Sequence, residues 1–174
     1  GLIVRGPMRG GEQQFVLVDE WLGEQPPVDT EAALAELARR YLAGHGPAGE
    51  RDLAKWAAIT LGQARAGLKA IGDEVVEPGP GLLQLKDSAA GGELPAPKLL
   101  GPFDPILHGW QSRDFLIPDE RERSVVTTNG IFRPAILVDG QVAGIWRLAG
   151  GKIELQPFGE IGAAAEGALE AEME

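Results

Sequence analysis

Between Glu31 and Leu42 the apolar residues Leu34, Leu37, Ala38, Tyr41 and Leu42 recur at i, i+3, i+4, i+7 and i+8, while Glu31, Glu36, Arg39 and Arg40 fall elsewhere. That period predicts an amphipathic helix with one buried stripe. Thr30 is its expected N-cap. The run Gly44, His45, Gly46, Pro47 ends it, because proline disfavours helical backbone at the residue before it. A second helix is predicted over about residues 50 to 59, offering Leu53, Ala54, Trp56 and Ala57 for packing. The third begins at Thr60, where Gln63 completes a capping box in which each side chain satisfies the other's free backbone donor. Its buried stripe is Leu61, Ala64, Leu68 and Ile71. Two strand-like runs follow, Glu74 to Glu77 and Leu82 to Lys86, joined by Pro78, Gly79, Pro80 and Gly81, a composition that enforces a turn. Helix, helix, capped helix and hairpin, in that order, is the pattern of a winged helix.

The flanks read differently. Leu2 to Arg5 and Gln13 to Asp19 alternate as strands around the glycine-rich turn Gly6 to Gly11. A lone two-stranded hairpin is marginal in water, so this one is expected to be the wing of an incomplete, preceding winged helix. Glu20 to Asp29 is a connection, and Asp87 to Pro97 a linker rich in alanine, glycine and proline. Lys98 to Leu100 resumes as a strand, and Pro118 to Arg121 starts a short helix. From Asn129 the chain reads as a β-meander: a strand over Ala135 to Val138, an Asp139-Gly140 hairpin turn, a return over Gln141 to Leu148, and a further strand over Ile153 to Phe158. Trp146 and Phe158 are its expected apolar anchors, and a last helix is predicted over about residues 159 to 172. The expected fold class is α+β: residues 1–29, a remnant hairpin and linker; residues 30–97, a winged helix of three helices and a β-hairpin wing; residues 98–174, a small antiparallel β-rich domain with an acidic C-terminal helix.

Charge alters this picture by its distribution. The formal net charge is −10, which opposes nucleic-acid binding, since affinity for phosphates rests on lysine and arginine displacing counterions. Yet residues 31 to 70 carry six basic and four acidic side chains, against two and five before them and eight and seventeen after. The helical segment is thus the one net-positive part. Glu160, Glu166, Glu170, Glu172 and Glu174 form a tail with no basic residue, expected to be solvated and frayed. No apolar run reaches the roughly 18 residues a bilayer requires, and no signal peptide is recognised, so a cytoplasmic protein without membrane contact is expected. There is no cysteine, which excludes disulfides and thiolate chemistry. Gly1 opens the chain inside a strand-like segment, as expected of a truncated chain.

Three stretches, Gly1 to Trp21, Ala38 to Trp56 and Asn129 to Trp146, together with Pro102, Phe103, Asp104 and Pro105, resemble the actinobacterial winged-helix DNA-binding proteins related to the AlkZ-like DNA glycosylases. The resemblance implies tandem winged helices followed by a β-rich domain, of which this chain would be the C-terminal half. It also implies DNA repair by removal of alkylated or crosslinked purines, through a glutamine pair expected upstream of Gly1. Gln13 and Gln14 are adjacent and follow a glycine turn, so they are not that pair. No catalytic residue is therefore expected here, whether or not the full-length protein is a glycosylase.

Candidate contacts follow from the helical segment. Opposite the buried stripe, the third helix presents Gly62, Gln63, Ala66, Lys69 and Ala70, with Arg65 on the flank. Such a face lets the backbone approach a duplex. Gln63, Arg65 and Lys69 are the expected DNA contacts, with Arg51 and Lys55 of the second helix and Arg5 and Arg9 beside the first hairpin turn. Only Gln63 and Arg65 have the reach to read a base edge, so backbone gripping with little sequence reading is expected. The bland reading makes all seven ordinary solvated residues. Asp104 and His108 could form an acid and base pair in a pocket, although a capping aspartate and a half-buried histidine explain the same letters. His45 and His108 share no ligand spacing, so neither metal nor cofactor is expected. Three functions compete: a portion that grips double-stranded, including damaged, DNA; a winged-helix interaction or regulatory module whose acidic surface docks a basic protein partner; and a hydrolase acting through Asp104 and His108.

Overall fold

The computed structural model describes residues 2–88 and 91–173. Gly1, Ala89 and Ala90 of the expected linker, and Glu174 of the acidic tail, lie outside the described residues. The chain opens with a hairpin, β1 (Ile3–Arg9) against β2 (Glu12–Leu17). Its strands run further than the sequence suggests because only Gly10 and Gly11 take left-handed backbone, at φ +57° and +82°. The glycine-rich run therefore turns at its end, after an irregularity between Arg5 and Met8. Asp19, read as strand, instead lies in a five-residue helix, α1 (Val18–Leu22).

α2 (Thr30–His45), α3 (Glu50–Ala57) and α4 (Leu61–Ala70) are followed by a second hairpin, β3 (Val75–Gly79) with β4 (Leu82–Leu85). The N-cap of α2 is Asp29, not Thr30: Asp29 is extended and its Oδ1 accepts from the amides of Glu31 and Ala32, which leaves Thr30 inside the first turn. At α4 the capping box forms as read, Thr60 Oγ1 accepting from Gln63 N and Gln63 Oε1 from Thr60 N. The stripes meet in one cluster of Ala38, Tyr41, Leu42, Ala48, Leu53, Ala64, Leu68 and Ile71. Burying each leucine contributes about 1.5–3 kcal/mol.

Gly67 sets how closely α4 crosses α2, since a Cβ there would lie 2.5 Å from the carbonyl oxygen of Leu34. The hairpin is tied to the helices by a further pairing, Ala48 N donating to Leu83 O and Leu83 N to Ala48 O. Ala48 lies between α2 and α3, so the hairpin gains a third backbone partner.

The remaining strands form one antiparallel sheet in the order β5 (Lys98–Leu100), β6 (Ala135–Val138), β7 (Gln141–Ala149), β8 (Lys152–Pro157). Asp139 and Gly140 both have positive φ, +50° and +77°, as a two-residue hairpin turn requires. A short α5 (Glu122–Val125) and two single-turn helices, Pro105–Leu107 and Asp119–Arg121, close a second cluster around Leu107, Leu116, Ile117, Val125 and Leu137. Phe158 packs against that cluster, and Trp146 donates to Leu100 O at 2.8 Å.

The acidic tail is solvated as expected at Glu160, Glu166 and Glu170, all exposed, but it is not frayed. α6 (Ala163–Glu172) buries Leu169 completely, and the Glu172 carboxylate accepts from Leu99 N at 2.6 Å and lies 3.4 Å from Lys98 Nζ. It thereby covers an open amide on the edge strand β5.

The two clusters are joined by the segment Gly109–Gln111. Tyr41 donates its hydroxyl to Gly109 O, Trp110 Nε1 donates to His45 O, and Gln111 N donates to Asp52 Oδ1. No helix among the described residues is long and apolar enough to cross a membrane.

Candidate nucleic-acid interface

α4 carries Arg65 and Lys69 and no acidic residue, and its outward side is lined by Gly62, Ala66 and Ala70. All five are exposed. Gln63 is exposed as well, but its Oε1 accepts from both the amide and the hydroxyl of Thr60. Bidentate reading of adenine needs that oxygen together with the side-chain amide group. The capping role thus leaves Gln63 only donors, and the helix reads less sequence than its composition suggests.

Arg65 is not free. Its Nε and Nη2 donate to Glu50 Oε2 and Oε1 at 2.8 and 2.7 Å, a two-point pair spanning α4 and the start of α3. The pair holds the Glu50 carboxyl below the usual carboxylate range and the guanidinium above its own. Lys69 stands in a shallow groove with Thr30, Glu31, Leu34, Ala66 and Ala70. Arg51 is exposed one residue beyond Glu50.

Lys55 is placed differently. Its Nζ lies 3.4 and 3.2 Å from the carbonyls of Trp110 and Gln111, where burial and then Arg113 lower its pKa. It clamps the joining segment to α3 and is not part of the exposed face of α4. Arg5 and Arg9 sit on β1, with Arg5 opposite Phe15 and Arg9 opposite Glu12. Because side chains alternate along a strand, Arg5 shares its face with Ile3, Phe15 and Leu17.

Asp104 and His108 make no bond to each other among the described residues. Asp104 Oδ1 accepts from Ile106 N, capping the Pro105–Leu107 turn. His108 is one corner of a triangle of rings, its centroid 3.8 Å from Phe132 and 6.0 Å from Phe103, which are themselves 5.9 Å apart. Burial, then Arg113 and Lys55, push its pKa down against a weaker pull from Asp104. The carboxylate and the imidazole thus serve as a cap and a stacked, part-buried ring. No cluster of three or more His, Cys, Asp or Glu suited to a metal ion occurs among the described residues.

Two features escaped the sequence reading. Glu50 lies fifteen positions from Arg65, beyond any helical spacing. Phe103 holds left-handed backbone at φ +58° with its side chain half exposed, and its signal was its position between Pro102 and Asp104-Pro105.

A family profile described as DNA glycosylase AlkZ-like matches residues 1–174. No curated protein matches the chain. Among solved structures, the DNA glycosylase AlkZ of Streptomyces sahachiroi superposes with a TM-score of 0.82 at 24% sequence identity, covering 98% of this chain. The match takes in 49% of that protein, so the chain spans about half its length. That likeness is one of fold, a mixture of helices and small antiparallel sheets. With the profile spanning residues 1–174, the chain belongs to the AlkZ-like DNA glycosylase family.

Proposed function

We propose that this chain is the duplex-gripping portion of a DNA-repair protein, with residues 30–97 acting as a winged helix whose α4 meets the DNA backbone. The observation that carries this reading is an exposed, acid-free α4 presenting Arg65, Lys69 and small residues in a chain of net charge −10. Arg51, the second residue of α3, is exposed in a separate groove with Gly81, Leu82 and Gln111, and offers a further cation there. Small residues let the helix come close, and phosphate contacts fix position without conveying sequence. Residues 98–174 serve as the β-rich partner clamped on through Gly109–Gln111.

Residues 1–29 are assigned to the wing of an upstream unit. The hairpin contributes to neither hydrophobic cluster, and Ile3, Phe15, Leu17 and Trp21 are each about half exposed or more. On this assignment Arg5, which shares that apolar face, is covered by the upstream unit, and Arg9 at the hairpin's end is left to meet a phosphate. Base removal is assigned to the same upstream portion, since Asp104 and His108 are otherwise engaged.

The test is a salt titration of binding to a generic labelled duplex by fluorescence anisotropy. Binding at low salt should fall steeply as salt is added, and replacing Arg65 and Lys69 together by alanine should weaken it alike for all sequences. No binding, or binding indifferent to salt, removes the DNA reading in favour of an acidic module that docks a basic protein. Release of alkylated purine by this chain alone would overturn the assignment of chemistry upstream.

A further inference from the structure

We propose that the pocket between the end of α2, α3, β4 and the joining segment receives the guanidinium of an arginine on a partner protein. It shares no residue with the exposed side of α4, so the proposal stands or falls apart from the DNA-gripping role.

The walls are aromatic and fixed. Trp110 Nε1 donates to His45 O at 3.1 Å, and the His45 ring is stacked on Tyr41 at 4.8 Å and 11°. Trp110 meets His45 at 5.3 Å and 69°, and Phe115 meets Trp110 edge to face at 4.9 Å and 82°. Rings at such steep angles form walls and not a stack. With Pro47, Leu82 and Asp52 they line an open pocket of about 490 Å³. Phe115 joins neither hydrophobic cluster and is 54% exposed, so its ring serves neither core.

The charge of the lining selects the occupant. Asp52 brings a carboxylate, and no lysine or arginine lines the pocket. Each carboxylate oxygen accepts one backbone donor, Oδ1 from Gln111 N and Oδ2 from Gly49 N, which leaves a further acceptor position on both. Asp52 forms no ion pair among the described residues. Lys55 gives its ammonium to the carbonyls of Trp110 and Gln111, and Arg51 lies in the adjoining groove beside Glu50. A phosphate would be repelled here, and an apolar group would strip water from the carboxylate without replacing its partners. A cation gains from ring and carboxylate together. Guanidinium suits both, since it is flat enough to lie on a ring and its fork of donors matches a carboxylate. The net charge of −10 favours a basic partner on approach.

The experiment is an NMR titration of the isotope-labelled full chain with a blocked glycine-arginine-glycine peptide, and separately with its citrulline counterpart, which keeps the shape and loses the charge. The indole N–H signal of Trp110 and the backbone amide of Phe115 should move and saturate with the arginine peptide, and the citrulline peptide should bind about 5-fold or more weakly. Phe115→Ala should weaken the arginine peptide by about 3-fold or more without lowering the melting temperature, and Phe115→Trp should retain it. Replacing Arg65 and Lys69 together by alanine should leave it within about twofold. Equal binding of the two peptides, shifts spread over other acidic residues in place of these two signals, or no loss on Phe115→Ala overturns the proposal. Movement of the same two signals by a DNA duplex and by neither peptide would give the pocket to nucleic acid and overturn it as well.

Discussion

The Arg65 guanidinium lies flat against the Glu50 carboxylate, two short donor contacts joining α4 to the first residue of α3. A phosphate offers the guanidinium the same two-point geometry. On the proposed duplex-gripping role, Glu50 occupies the position that a phosphate would take, and contact requires exchange of one anion for another. The Arg65 side chain is exposed and that of Glu50 half-buried, so solvent screens the pair and exchange is easy. Glu50→Gln keeps the shape and removes the competing charge. It should tighten binding to a generic duplex on the order of 2–5-fold at low salt and steepen the log-log salt slope by about 0.9. Anisotropy at several salt concentrations measures both. Unchanged affinity and slope would show that Arg65 does not meet the duplex.

The Tyr41 hydroxyl reaches across 68 positions to Gly109 O at 2.7 Å in a buried bond. Tyr41 also stacks on His45, at 4.8 Å and 11°, and its hydroxyl pKa is raised by burial, so it stays a donor across the ordinary pH range. Tyr41→Phe keeps the ring and strands the carbonyl without a donor. A buried acceptor left unmatched costs about 1–3 kcal/mol. Urea denaturation should show that loss as a lowered midpoint. A loss under about 0.5 kcal/mol, the low end for a hydrogen bond's net worth, would mean that another donor reaches Gly109.

Local order was legible where one stretch carries its own instruction. The stripe from Leu34 to Leu42, the Thr60–Gln63 box and the Asp139-Gly140 turn depend on residues within eight positions of one another, and each formed. What stayed hidden joins distant parts. Ala48 pairs with Leu83, Arg65 with Glu50, and Trp110 with His45, and no periodicity encodes those meetings. Glu172 is the sharpest case. As one acid in a run without bases it reads as solvent-facing, yet burial of Leu169 carries it to the Leu99 amide at 2.6 Å. Composition ranks a charge by its neighbours in sequence, whereas packing of the helix around it decides where it lies.

His108 gives the protein a pH dependence whose direction follows from its setting. Burial first, and then Arg113 and Lys55, hold its pKa below the ordinary histidine value of about 6.5, with Asp104 opposing them. The unfolded chain then binds the proton more readily than the folded one. Between the two pKa values unfolding takes up a proton, so stability rises with pH across that window. The contribution of the neutral imidazole is complete above about pH 6.5 and declines as the pH falls below it, until the folded value is passed. Glu36, Glu50 and Glu74 shift in the same direction for a different reason, their pKa values lowered by hydrogen bonds from arginines, with Arg40 leading at Glu36, Arg65 at Glu50 and Arg39 at Glu74. Their stabilising effect is lost only below the ordinary carboxylate value of about 4.5, so the two windows separate. His108→Phe keeps a ring beside Phe103 and Phe132 and cannot titrate. Its melting temperature should stay flatter than that of the wild type from about pH 6.5 down to about pH 5, with the acid limb below unchanged. Parallel melting curves for the two proteins across that interval would mean that the proton is taken up elsewhere.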